Sequence, residues 1–163
     1  MRINICAIGH IRNSPEEELI KDYINRFDRI GNIIGVGPIK VIEKEDKKNK
    51  GVLAEGQLLM DSIPSGSIIC TLDENGLELD SYGFAKKISF WRDNGNQAVT
   101  LIIGGASGLS KGVKEKADLS SMTITLKIDQ KQSEFFPGGV HSDLTSRVQL
   151  VRAQEGIFHD LLN

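Results

Sequence analysis

The most informative segment of the chain is Val99-Thr100-Leu101-Ile102-Ile103-Gly104-Gly105-Ala106-Ser107-Gly108-Leu109-Ser110. Its first five residues are apolar or β-branched, which predicts a strand buried on both faces, as at the centre of a parallel sheet. The strand ends at Gly104 and Gly105, and Gly108 follows three residues later. Because glycine has no Cβ, a ligand can approach the main chain closely there. Ligands of open α/β sheets bind beyond the carboxyl ends of the strands, so the stretch predicts either a ligand site or a bare strand-to-helix turn.

The glycines match none of three well-known loops. A phosphate-binding P-loop requires Gly-x4-Gly-Lys-Ser/Thr, but Lys111 is preceded by Ser110 and followed by Gly112. The spacing Gly-x-Gly-x-x-Gly of a dinucleotide loop is not met either. A nucleophile elbow, Gly-x-Ser-x-Gly, would need glycine where the chain has Leu109, so Ser107 is interpreted as a turn residue. We expect a ligand site built from backbone groups, in neither a nucleoside triphosphatase nor a hydrolase.

Composition favours one soluble globular domain, 1–163, with 39% apolar and 26% charged residues. No run approaches the ~20 apolar residues that cross a membrane, and the N-terminus does not resemble a signal peptide, so a cytoplasmic protein without a membrane partner is expected. The net charge of −2 argues mildly against a dedicated nucleic-acid binder. Binding to RNA would require local clustering of basic residues, or a second subunit that adds its own basic face.

The cysteines and histidines predict no metal site. Cys6 and Cys70 both lie in apolar, strand-like runs, and buried reduced thiols are expected rather than a disulfide. The three histidines, His10, His141 and His159, show no spacing typical of metal ligands.

Alternating strand and helix patterns predict an α/β fold, a mostly parallel sheet with helices on both faces. The expected strands are 2–8, 39–42, 67–73, 99–103 and 122–126, and the expected helices begin near residues 14, 52, 80 and 110. In the third helix Tyr82, Phe84, Ile88 and Trp91 are expected to face inward. The charged run 43–50, with four lysines, is interpreted as a solvated loop, or alternatively as an arm that touches a phosphate backbone.

Four segments together resemble a known family. They are the Ile-x-x-x-Ala-x-Gly strand at the N-terminus, Leu72-Asp73-x-x-Gly76, the helix with Phe84 and Trp91, and Leu101-Ile102-Ile103-Gly104-Gly105-x-x-Gly108-Leu109. Over about residues 1–126 the chain is similar to the small SPOUT-class methyltransferases that modify N3 of a pseudouridine in 23S ribosomal RNA.

The resemblance implies a trefoil-knotted domain that acts as a homodimer on 23S ribosomal RNA in the ribosome, with S-adenosyl-L-methionine as cofactor. It implies cofactor contacts at Leu72, at Gly104 and in the segment Thr123, Ile124, Thr125, Leu126, Lys127 and Ile128. Gly105 and Gly108 join the candidate set as glycines of the same ligand-approaching loop.

After Leu126 the chain departs from the family pattern. The Pro-His dipeptide expected after the last strand is missing, and the family's final helix and its His-Pro-Tyr-His-Arg end are not found in 127–163. A shifted reading frame is one hypothesis for so abrupt a change. No catalytic residue can therefore be assigned from the resemblance. Two alternatives stay open, a cofactor- or RNA-binding relative with impaired catalysis and a small-ligand protein of the flavodoxin type.

Overall fold

The computed structural model describes residues 1–13, 15–73, 77–79, 81–119 and 122–124. The strands are β1 (Arg2–Ile8), β2 (Ile39–Lys44), β3 (Ile68–Leu72), β4 (Leu77–Leu79), β5 (Ala98–Ile103) and β6 (Met122–Ile124). The helices are α1 (Pro15–Gly31), α2 (Val52–Met60), α3 (Ser81–Asp93) and α4 (Lys111–Glu115). The predicted alternation of strands and helices is thus confirmed, and β4 is an addition that the sequence pattern did not predict.

The main sheet has four parallel strands in the order β2-β1-β5-β3. Strand β5 lies between β1 and β3, and all six of its residues are buried, as its apolar run predicts. On the outer side of β3, Leu119 forms a parallel bridge with Cys70, and the Ile69 carbonyl accepts a hydrogen bond from the Asp118 amide. Strands β4 and β6 pair with each other, also in parallel, as a second small sheet.

Two apolar clusters cover the two faces of the main sheet. Alternate side chains of β1 and β5, such as Ile5 and Leu101, pack with Phe27 of α1 and with Ile88 and Trp91 of α3. The side chains between them pack on the other face with α2 and α4 (Cys6, Ile102, Leu59 and Val113). Helices on both faces of a parallel sheet define the predicted α/β class.

Several details correct the sequence prediction. Tyr82 does not face inward, because 51% of its surface is exposed, whereas Phe84, Ile88 and Trp91 are buried as expected. Helix α4 ends at Glu115, before the expected Asp118. The expected start residues of the first and third helices, Ser14 and Asp80, and the last two residues of the expected final strand lie outside the described residues.

Both cysteines are buried and free, as predicted. Burial raises the pKa of the Cys6 thiol to about 11 and that of the Cys70 thiol to about 12. Both groups are therefore protonated, unreactive thiols at neutral pH. Among the helices in the described ranges, none is long and apolar enough to cross a membrane.

Candidate cofactor-binding site

The carboxyl ends of the parallel strands bring the first predicted site residues together. In the register of β3 and β5, Leu72 is the partner of Ile103, the residue before Gly104. On the other side of β5, Ile103 is paired with Ala7 of β1. The expectation that Leu72 and Gly104 lie at the carboxyl ends of adjacent parallel strands is confirmed.

The chain after Gly104 folds back on itself in a tight loop, residues 104–109, which we call the glycine loop. The Gly108 amide donates a 2.9 Å hydrogen bond to the Gly105 carbonyl, and Gly108 has a φ of 76°. A Cβ at Gly104 would lie 2.6 Å from the carbonyl carbon and oxygen of Gly108, closer than real contacts allow. Gly104 is therefore required by the loop's own packing, and Ser107 lies in its exposed turn, as predicted.

Glu55 of α2 approaches the same loop. The position that a Cβ would occupy at Gly105 is 3.1 Å from Oε2 and 3.2 Å from Oε1 of Glu55, and 3.2 Å from Cγ2 of Ile8. A carboxylate thus lies directly beside the backbone of the glycine loop. Sequence reasoning missed Glu55, since the helix pattern of α2 gives no sign of which element it meets.

An ion pair fixes the end of β3 to the helix that follows the glycine loop. Asp73, the residue after Leu72, accepts a 2.5 Å contact from Nζ of Lys114 in α4. The side chain of Asp73 is only 5% exposed, so its charge requires such a partner. The pair therefore joins the carboxyl end of β3 to α4. Asp73 belongs to the motif that supported the resemblance, but Lys114 was missed.

The third predicted contact segment is only partly described. Thr123 and Ile124 lie in β6, where their register partners are Glu78 and Leu79 of β4. Thr125, Leu126, Lys127 and Ile128 lie outside the described residues. The structure therefore brings Leu72 together with Gly104, Gly105 and Gly108, and Thr123 and Ile124 belong to the second sheet.

Beside this site, the ends of β1 and β2 are joined by His10 and Glu43. Nδ1 of His10 is 3.0 Å from Oε2 of Glu43, and the Ile11 amide donates a 2.9 Å hydrogen bond to Oε1. Nε2 of His10 also lies 3.7 Å from Oε2 of Glu45. The prediction that Glu43 and Lys44 begin a solvated loop is wrong, because both residues belong to β2 and Glu43 is held by β1 and the residues after it.

Charged and apolar side chains surround the glycine loop. Glu55 places a carboxylate beside it, and the Asp73 carboxylate is paired with Lys114. The half-buried Leu72 adds apolar surface. The surroundings of the glycine loop are therefore mixed, with an apolar side chain at Leu72 and charged side chains at Glu55 and Asp73.

Comparison with known proteins agrees with this geometry. The family described as "Predicted SPOUT methyltransferase" matches residues 1–128. The chain therefore belongs to the SPOUT methyltransferase family, and its parallel α/β sheet fits the knotted fold of such enzymes.

Curated relatives carry a more specific name. The chain is 50% identical over 120 residues to "Ribosomal RNA large subunit methyltransferase H" of Ruegeria sp. (strain TM1040). This alignment covers 74% of the chain and 77% of the relative. Proteins of the same name from Ruegeria pomeroyi and Dinoroseobacter shibae are 48% and 43% identical over 120 and 118 residues. These two alignments cover 74% and 72% of this chain, and 77% and 76% of the relatives.

Proposed function

We propose that this protein transfers a methyl group from S-adenosyl-L-methionine to N3 of a pseudouridine in large-subunit ribosomal RNA. The observation that carries the proposal is the position of Leu72, the register partner of Ile103, beside Gly104 at the ends of adjacent strands, with the glycine loop folded against Gly104. The name of the curated relatives supports a ribosomal RNA substrate.

The residues of the site fit this cofactor. The backbone of Leu72 and of the glycine loop, with Gly105 and Gly108, would hold the adenosine part through main-chain groups. S-adenosylmethionine, when bound, supplies an electrophilic methyl group on a sulfonium. The protein's contribution is to hold the nucleophilic base and this group in line, and such alignment alone can remove several kcal/mol of a barrier.

The first test is calorimetric titration with S-adenosylhomocysteine, read beside the molecular mass from light scattering. We expect one site per chain in a homodimer. A folded protein that binds no S-adenosylhomocysteine would refute the proposed cofactor. The second test is transfer of a labelled methyl group to large ribosomal subunits that lack the modification, followed by mapping of the modified base. Label on any base other than a pseudouridine would refute the proposed target.

A second candidate function is binding of the cofactor and RNA without methyl transfer. The family match ends at residue 128, and the sequence beyond it lacks the family's terminal motif. Binding of S-adenosylhomocysteine with no labelled product on ribosomes would select this second function. A labelled product would exclude it.

A further inference from the structure

The loop between β2 and α2, residues 45–51, carries three exposed lysines. We infer that this loop, here called the lysine loop, binds the sugar-phosphate backbone of the RNA substrate through Lys47, Lys48 and Lys50. The inference rests on the proposed function, since it assigns part of the RNA-binding surface of the same site.

The lysine loop lies at the same edge of the sheet as the candidate cofactor site. It follows the carboxyl end of β2, and β2 lies next to β1, which lies next to β5 and Gly104. Helix α2 begins at Val52, directly after the loop, and its first turn carries Glu55. One helical turn therefore separates the lysines from a residue that contacts the glycine loop. An RNA strand that approaches the site over β2 and β1 would therefore meet the lysine loop.

A single carboxylate organises the backbone of the lysine loop. Oδ1 of Asp46 accepts a 3.2 Å hydrogen bond from the Lys48 amide, and Oδ2 accepts from the amides of Lys50 and Gly51. The Asp46 carbonyl accepts a 3.0 Å hydrogen bond from the Asn49 amide. Asn49 and Gly51 have positive φ values of 46° and 86°, which these residue types tolerate. The turn holds its backbone inward and its lysine side chains outward.

Two carboxylates of the segment, Glu43 and Asp46, are held by neighbouring groups, whereas the Glu45 side chain is 53% exposed and the three lysines face solvent. Glu43 and Glu45 lie against His10, and the Asp46 carboxylate is taken up by backbone amides. Within the described part of the chain, no carboxylate lies within ion-pair distance of the three lysines. A chain with a net charge of −2 therefore presents a local cluster of three cations. This is the local clustering that RNA binding by an acidic chain requires.

The experiment measures binding of a labelled 23S ribosomal RNA transcript at several salt concentrations. In the triple variant Lys47→Gln/Lys48→Gln/Lys50→Gln, each lost phosphate contact should weaken binding about five- to ten-fold in 0.1 M salt. The slope of log K against log salt should fall by roughly 2 to 3 in total. The control triple, Arg2→Gln/Arg29→Gln/Lys40→Gln, removes three exposed cations near the amino ends of the strands and should leave the slope unchanged.

A second variant separates placement from net charge. Asp46→Ala makes the chain more positive by one unit but removes the acceptor that orders the lysine loop. If overall charge governed binding, this variant would bind RNA more tightly. The inference predicts weaker binding, because the lysines are no longer held at the edge of the site. Tighter binding by Asp46→Ala would overturn it.

Titration with S-adenosylhomocysteine keeps the two proposals apart. All these variants should bind it as the wild type does, since none alters Leu72 or the glycine loop. An equal loss of RNA binding in both triple variants, or no loss in the lysine-loop triple, would overturn the inference and leave the cofactor site standing. A wild type that binds S-adenosylhomocysteine but not the transcript would overturn it too. A wild type that binds the transcript but not S-adenosylhomocysteine would refute the proposed function alone.

Discussion

Gly104 is the residue on which the candidate site depends most. A methyl group there would meet Gly108 at 2.6 Å and the Leu109 amide at 3.0 Å, so Gly104→Ala must push these loop residues away from the end of β5. We expect at least a ten-fold loss of S-adenosylhomocysteine affinity by calorimetry, and a stability loss of about 1–3 kcal/mol typical of overpacking.

Gly112 offers a matched control for this substitution. It lies in α4, and a Cβ there would meet no atom within 4 Å. Gly112→Ala should keep full affinity and should not destabilise the protein, because alanine favours a helix by up to about 1 kcal/mol over glycine. A Gly104→Ala protein that binds like the wild type would show that the ligand does not lie against this loop.

Thr71, the residue before Leu72 in β3, carries a buried hydroxyl group. Its side chain is fully buried, and Oγ1 has no hydrogen-bond partner among the residues that the structure describes. An unsatisfied buried hydroxyl costs roughly 1–3 kcal/mol, so Thr71→Val, which replaces it with a methyl group, should raise the free energy of unfolding by about 1 kcal/mol or more. Thr71→Ser keeps the hydroxyl and loses the methyl group, and should lower it by about 1 kcal/mol. Urea melts of the two variants measure both effects; a destabilised Thr71→Val would mean that the hydroxyl is bonded.

Helix α3 provides a test of burial with two adjacent aromatic residues. Trp91 is 8% exposed and belongs to the cluster between α3 and the sheet, whereas Phe90 is 62% exposed. Trp91→Ala should cost about 3–5 kcal/mol in denaturant melts, and Phe90→Ala, a change of similar size at an exposed position, less than about 1 kcal/mol. Equal losses would contradict the orientation of the helix.

The same helix shows what periodicity can and cannot predict. The 3.6-residue repeat correctly identified Phe84, Ile88 and Trp91 as core residues, because these side chains lie on one stripe. It failed for Tyr82, which lies in the first turn of the helix. At the surface the Tyr82 ring makes a cation-π contact with Nζ of Lys86, 4.2 Å from the ring centroid. Strand β4 was missed for a related reason, since three residues are too few to show an alternating pattern.

The sequence predicted the part of the candidate site that lies at the ends of strands. Leu72 and Gly104 end two apolar runs, and parallel strands bring such ends to one edge, so their neighbourhood follows from the sequence. Glu55 and Lys114 come from helices whose patterns show only that they are amphipathic, and their contacts depend on how the helices pack on the sheet. The partner of Glu43 could not be predicted either, because His10 lies 33 residues away along the chain.

Assembly of two chains leads to the last prediction, which concerns heat stability. If the active form is a homodimer, unfolding releases two chains, and the melting temperature must rise with protein concentration by mass action. Each ten-fold increase in concentration adds about 1.4 kcal/mol to the stability of the dimer, or roughly half of that per chain. For a domain of 163 residues this corresponds to a rise of about 2 °C.

The melts require a saturating, constant excess of S-adenosylhomocysteine. A ligand at 100 times its Kd adds about 2.7 kcal/mol to the stability by itself. If its excess varied, this effect would be confused with that of protein concentration. A melting temperature that rises with S-adenosylhomocysteine but not with protein concentration would indicate a cofactor-binding monomer. In that case the cofactor site would be complete in one chain, and the RNA surface, the lysine loop included, would have to be supplied by that chain alone.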